Sequence, residues 1–266
     1  MSDPAAHAQD ATYFHFPEFL GGEVGLPMVG IQITKYMVIE LFVAAAMLAI
    51  FIPLARMIQD GKPVKGRFWN FWEVLLVYMR KEVFAVMGKK DGNRFLPYIW
   101  MLFFFVLFCN LFGMLPWMGS PTGSIATTCI LAICSFCVAT YAGMRHNGPV
   151  KFWTGLVPGM ELPLVLAIFL KPMLFVIELV AYFIKFGVLA IRLWANMFAG
   201  HVVLAVFLGF IAAAAAQSLA VWSGVAALSV FASVCFSLLE LFVAFLQAYI
   251  IAFLSAIFIS GAVHQH

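Results

Sequence analysis

The sequence predicts an all-α polytopic membrane protein with about five crossings, and three observations predict it. Of 266 residues, 65% are hydrophobic and only 10% are charged, against roughly 25% charged in soluble domains. Apolar runs of about 20 residues, the length that crosses a hydrocarbon core as a helix, recur along almost the whole chain. Nine of the fifteen basic residues fall between 56 and 94, which marks a loop on the cytoplasmic or equivalent side. A water-soluble core is excluded. The chain reads as one membrane domain over 34–266, preceded by an outer-side segment, 1–33.

Taken in order, residues 1–33 are mixed and partly acidic (Asp3, Asp10, Glu18, Glu23) and lack the basic start and short apolar core of a cleavable signal. The first span, 34–57, is then expected to serve as the insertion signal, and it carries Arg56 at its end. The basic loop 58–94 contains Lys62, Lys65, Arg67, Arg80, Lys81, Lys89, Lys90 and Arg94. Within it, Arg67 to Met87 mixes Phe68, Trp69, Phe71, Trp72 and Phe84 with Asn70, Glu73, Arg80 and Lys81. That mixture predicts an amphipathic helix lying in or near the membrane interface.

The stretch 95–144 reads as a helical hairpin. Phe95 to Trp117 is a clean span closed by Pro116 and the turn Gly119–Gly123, and Ser124 to Met144 runs back. Arg145 and Lys151 return the chain to the basic side. Five cysteines lie in apolar segments, and Cys134 with Cys137 forms a CxxC. A lone CxxC without a second pair is expected to pack as small residues on one helix face rather than to bind metal.

The last region, 156–263, is a long helical hairpin. Leu156 to Ala216 is apolar for far longer than a perpendicular crossing requires, so it is either strongly tilted or broken. Pro158, Pro163 and Pro172 predict an irregular or kinked start. The tract 217–224 is the expected turn before the last apolar stretch, Val225 to Val263. Five crossings put the N-terminus outside and the C-terminus inside.

Charge inside these spans carries the chemistry. Lys171, Glu178, Lys185 and Arg192 are seven residues apart, a spacing that drifts only about 20° per step and so draws one stripe. Each ionisable group at mid-bilayer costs roughly 2.5–3.5 kcal/mol, so it faces protein, water or a partner. For Lys171 and Lys185, internal ion pairs and snorkelling remain alternatives. Arg192 resists them, because more than 20 largely apolar residues follow it, relieved by little beyond Asn196, His201 and glycines.

If the last two segments fold back near residue 220, facing residues carry numbers that sum to about 440. Arg192 with Gln247 and His201 with Glu240 both fall on that register. His201 lies nine residues beyond Arg192, about 13.5 Å along the helix and on the opposite face. A histidine and a carboxylate relay protons near neutral pH. A guanidinium stays charged, so it carries no proton itself but forces a passing acid to ionise.

The string IRLWANMFAGH (191–201), FLQAY (245–249) downstream and NLFGMLP (110–116) resemble subunit a of the F-type ATP synthase over essentially the whole chain. The resemblance implies a non-catalytic stator subunit that conducts protons and drives ATP synthesis elsewhere; no GxxxxGK[ST] phosphate loop occurs. It implies that Arg192 faces the rotating subunit c ring with Gln247 beside it. Glu178 would belong to the half-channel on the basic side, and Asn196, His201 and Glu240 to the opposite one. Lys185 and Asn110 are further candidates on the proton path. Gly113 departs from relatives that carry an acid, and no role is carried onto it. The His201 and Glu240 pair favours protons over sodium.

The implied fold has two long tilted C-terminal helices packed along the ring. Implied partners are the ring, the subunit b stalk and other subunits, lipid and protons; neither nucleic acid, cofactor nor metal is implied, and the implied location is the bacterial plasma membrane. The competing reading is a self-contained ion-coupled secondary transporter using the charged stripe. Such transporters usually show two related halves, and no internal repeat is visible.

Overall fold

Hydrocarbon offers no hydrogen-bond partner, so an apolar run that enters it must satisfy its backbone internally, as a helix. In the computed structural model, the described residues are 34–59, 66–115, 119–156, 164–215 and 218–264, together with four short strands before them. β1 (Tyr13–His15) pairs antiparallel with β2 (Glu23–Gly25), and β3 (Met28–Val29) with β4 (Ile31–Gln32). The rest is helical: α1 (Lys35–Gln59), α2 (Arg67–Gly113), α3 (Ile125–Asn147), the short α4 (Pro149–Thr154), α5 (Leu164–Ala214) and α6 (Leu219–Val263). Among the described residues five helices are long and apolar enough to cross a membrane, as the hydropathy pattern predicts.

α2 contains both the amphipathic helix and the second span. The two limbs meet at Gly88, whose φ of 73° is left-handed and suits a residue without a side chain. The first limb folds back along the second. Trp72 stacks on Phe108 with centroids 5.4 Å apart, and the Trp100 indole donates to the Leu76 carbonyl at 3.2 Å. Close to the bend, Gly92 leaves room for Phe84, whose ring would stand 2.7 Å from a Cβ there. Trp72, Met79, Val83 and Met87 face inward, while Phe68, Phe71, Val74 and Val77 stay exposed.

Three boundaries differ from expectation. The second span ends at Gly113 rather than Trp117, because the amides of Met114 and Leu115 turn back to Leu111 and Phe112; Trp117 lies outside the described residues. α3 continues to Asn147, where Gly148 at φ 86° ends it. The tract 217–224 is not all turn, since α6 starts at Leu219 and the Trp222 amide bonds to Ser218 at 2.9 Å. Leu219, Ala220, Val221 and Trp222 are compatible with helix, and Ser223 bonds back to Ala220 instead of breaking it.

α5 is one helix of 51 residues that runs through Pro172. Proline removes one intrahelical bond, and the flanking bonds carry the helix across it. Pro158 and Pro163 lie outside the described residues. At 1.5 Å per residue α5 is about 75 Å long, more than twice the roughly 30 Å hydrocarbon core, so it fits a bilayer only strongly inclined. The cysteine expectation also changes: Cys134 and Cys137 are free and exposed, not packed inward.

The core lies where α6 crosses α2 and α3, around Phe103, Phe104, Ile99 and Ile259. Gly143 is a point of close approach at this crossing. A Cβ there would collide with the Phe152 ring and stand 2.8 Å from the Ala262 carbonyl oxygen. The Asn147 amide anchors the same end, donating to the carbonyls of Ala262 and Val263 at 3.2 and 3.1 Å. Gly143→Ala is therefore expected to destabilise the purified chain by about 1–3 kcal/mol through overpacking. Gly224→Ala, in open helical space, should be neutral or stabilise by up to about 0.5–1 kcal/mol. Thermal unfolding in detergent distinguishes the two.

Candidate functional site

α5 and α6 form an antiparallel pair, and their ring contacts fix its register. Phe186 meets Phe258 with centroids 5.0 Å apart, and Phe207 meets Phe236 at 5.6 Å. A Cβ on Gly200 would stand 2.5 Å from Glu240 Oε1. These pairs keep numbers that sum to near 440 even though the turn is shorter than expected. Helical side chains lean toward the helix N-terminus, so Glu240 reaches back toward the turn and over Gly200.

The seam between the two helices encloses polar atoms without partners. His201 Nε2, Ser233 Oγ, Glu240 Oε1 and Gln247 Oε1 are all buried and make no hydrogen bond among the described residues. Glu240 and Gln247 are only 5% and 4% exposed, so water outside the seam does not satisfy them. Buried polar groups are ordinarily paired, and a cluster of unpaired ones marks a place for water or for a transient partner. His201 faces the Glu240 level as the register requires, but no direct hydrogen bond joins them among the described residues. The same is true of Arg192 and Gln247.

The stripe on α5 points differently. Lys171 and Lys185 are exposed, while Glu178, Arg192 and Asn196 are half-buried. None of the four charged members makes an ion pair among the described residues. Arg192 sits beside exposed Val188 and Ile191 on an outward apolar face.

Asn110 has a different part. Its amide donates to the Ala244 carbonyl at 3.1 Å, and its oxygen accepts from Thr122 Oγ1 at 2.7 Å. Thr122 in turn meets Ser120 at 2.6 Å. This clasp ties α2 and the 3₁₀ turn Pro121–Gly123 to α6 three residues before Gln247. Lys35, at the start of α1, is buried beside Gly119 of the same outer turn and carries its charge within reach of His201. Ser120, Thr122 and Lys35 carried no warning in sequence. Ser233 did: it precedes Glu240 by seven residues, as Glu240 precedes Gln247.

The fold and the seam define a polytopic helical membrane protein that, among the described residues, keeps unpaired polar groups between α5 and α6. The chain belongs to the ATP synthase A chain family, which matches residues 37–260. It is similar to ATP synthase subunit a of Myxococcus xanthus, at 36% identity with 100% of this chain and 89% of that protein covered. It also resembles ATP synthase subunit a of Chloroherpeton thalassium, at 35% identity over 98% of this chain and 76% of that one. A third relative, ATP synthase subunit a of Anaeromyxobacter (strain Fw109-5), is 35% identical over 88% of this chain, which spans only 55% of its length.

Replacing Asn110 tests the clasp. Asn110→Leu leaves the Ala244 carbonyl and the Thr122 hydroxyl to find new partners in a buried site, and is expected to cost about 1–3 kcal/mol. A lowered unfolding temperature in detergent checks it. An unchanged temperature would mean that the clasp is dispensable to the fold.

Proposed function

We propose that this chain is the proton-conducting stator subunit of a bacterial F-type ATP synthase, set in the plasma membrane against a ring of subunit c and held by a subunit b stalk. On this reading protons enter from the outer side past Asn196, His201 and Glu240, protonate a ring carboxylate, travel round with the ring, and leave on the basic side past Glu178. Nucleotide chemistry belongs to other subunits.

Arg192 is the hinge of the scheme. A permanent cation beside the ring holds an arriving carboxyl in its ionised form, so the proton must be given up to the exit path before the acid passes. The same charge repels protons that would otherwise leak directly between the two half-channels. Gln247, buried at the matching depth, offers an amide that can bond to the carboxylate or to water as it passes. Lys185, exposed on the same stripe, contributes positive potential along the approach.

The observation that carries this reading is the state of Arg192: a charge in an apolar helix with no ion pair among the described residues, beside the outward side chains of Val188 and Ile191. An unpaired cation in a membrane helix is costly unless a partner supplies the counter-charge. Membership of the ATP synthase A chain family supports the same identification of that partner.

In the assembled complex, Arg192→Ala is expected to lower ATP-driven proton pumping by about a hundredfold or more, the scale of losing one preorganised charge. Arg192→Lys should rescue little, because it lacks the forked, delocalised head. Acidification of inverted vesicles measures both. Wild-type pumping by an assembled alanine variant contradicts the proposal. Gly200→Val should also impair pumping, since the added side chain takes the space of the Glu240 carboxylate.

A further inference from the structure

We infer that Ser233 is a positioning residue that extends the outer proton path one helical step beyond Glu240, by holding a water between that carboxylate and the outer surface. The inference rests on the seam being the outer half-channel, as proposed above. Its own support is geometric. Ser233 Oγ, Glu240 Oε1 and Gln247 Oε1 are each enclosed, each unpartnered, and each seven residues from the next. Seven residues rise about 10.5 Å and drift about 20°, so the three atoms belong to one line about 21 Å long on the α5-facing side of α6.

A serine in a helix usually bonds back to the carbonyl three or four residues earlier. Ser223 does so on this same helix, and Thr128 and Thr154 do so elsewhere. Ser233 does not, although its hydroxyl is shut away from the exterior. A buried hydroxyl that declines its local bond is unsatisfied unless water occupies the seam beside it. Such a hydroxyl both donates and accepts, so it can orient a water in either direction of proton movement.

The neighbouring groups suit that task. Phe207 of α5 and Phe236 of α6 pair at 5.6 Å between the levels of Ser233 and Glu240, leaving an apolar wall past which polar stations must hand a proton. Among the described residues, the charged or titratable groups near this end of the path are His201 on α5, Glu240 and Cys235 on α6 and Lys35 on α1. Of these only Cys235 lies beyond the ring pair from Glu240 along α6, and it is exposed. Ser233 supplies the polar contact there.

The test uses the complete complex in vesicles, with ATP synthesis driven by an imposed proton gradient and the outer pH varied. Ser233→Ala and Ser233→Val are expected to lower synthesis about tenfold at limiting outer proton concentration, the loss of one hydrogen bond. Half-maximal synthesis should move to higher proton concentration. Ser233→Thr, nearly the shape of Val but with a hydroxyl, should restore it. Glu240→Gln and Arg192→Ala are measured alongside. If all three Ser233 variants match the parent while Glu240→Gln is blocked, the relay ends at Glu240 and the inference is overturned. If the Thr and Val variants are equally impaired, bulk rather than the hydroxyl matters and it is overturned too. Full activity in Glu240→Gln and Arg192→Ala would instead overturn the proposed function on which it rests.

Discussion

Everything in this molecule is arranged around the expense of keeping charge and unpaired polar atoms inside a hydrocarbon layer. Among the described residues Arg192 has no ion pair, and Glu240, Gln247 and His201 each hold a buried atom without a hydrogen-bond partner. Such an arrangement is unstable in isolation and becomes sensible when a moving acid and a file of water complete it. The seam is therefore incomplete by construction.

The scaffold makes that incompleteness affordable. α6 is tied to α2 through Asn110, Ser260 and Tyr249, and to α3 through Asn147 and Ser255. Close backbone approach at Gly143 and a side-chain niche at Gly200 leave α6 little room to slide. The helix is fixed on one side by this network and presents Leu238, Leu239 and Phe242 outward on the other. A rigid inner face with an unpartnered outer one suits a stationary wall against which something else turns.

Hydropathy made the five crossings legible, because each apolar run must become a helix in lipid. The α5–α6 register was legible as well, from two polar pairs at matched depth. What escaped was set by side-chain geometry. That Asn110 would be saturated by Ala244 and Thr122 follows from a three-body contact no spacing reveals. The bend at Gly88, with Phe84 against Gly92, likewise depends on which limb meets which. Residues 219–224 read as a turn because serine, tryptophan and glycine cluster there, yet Ser218 and Ser223 supply helix-compatible bonds. Ser233 shares a seven-residue spacing with Glu240 and Gln247 that the sequence reading passed over, and only the buried state of its hydroxyl gives that spacing meaning.

The most direct test of the central claim is proximity between the Arg192 face and the ring. With the exposed native cysteines Cys129, Cys134, Cys137 and Cys235 replaced by alanine, Val188→Cys would be oxidised in the assembled complex against a cysteine placed beside the ring carboxylate. A disulfide from position 188, and none from Ile133→Cys on the exposed side of α3, is the result this account predicts. A crosslink from 133 with none from 188 would mean that the arginine looks away from its proposed partner.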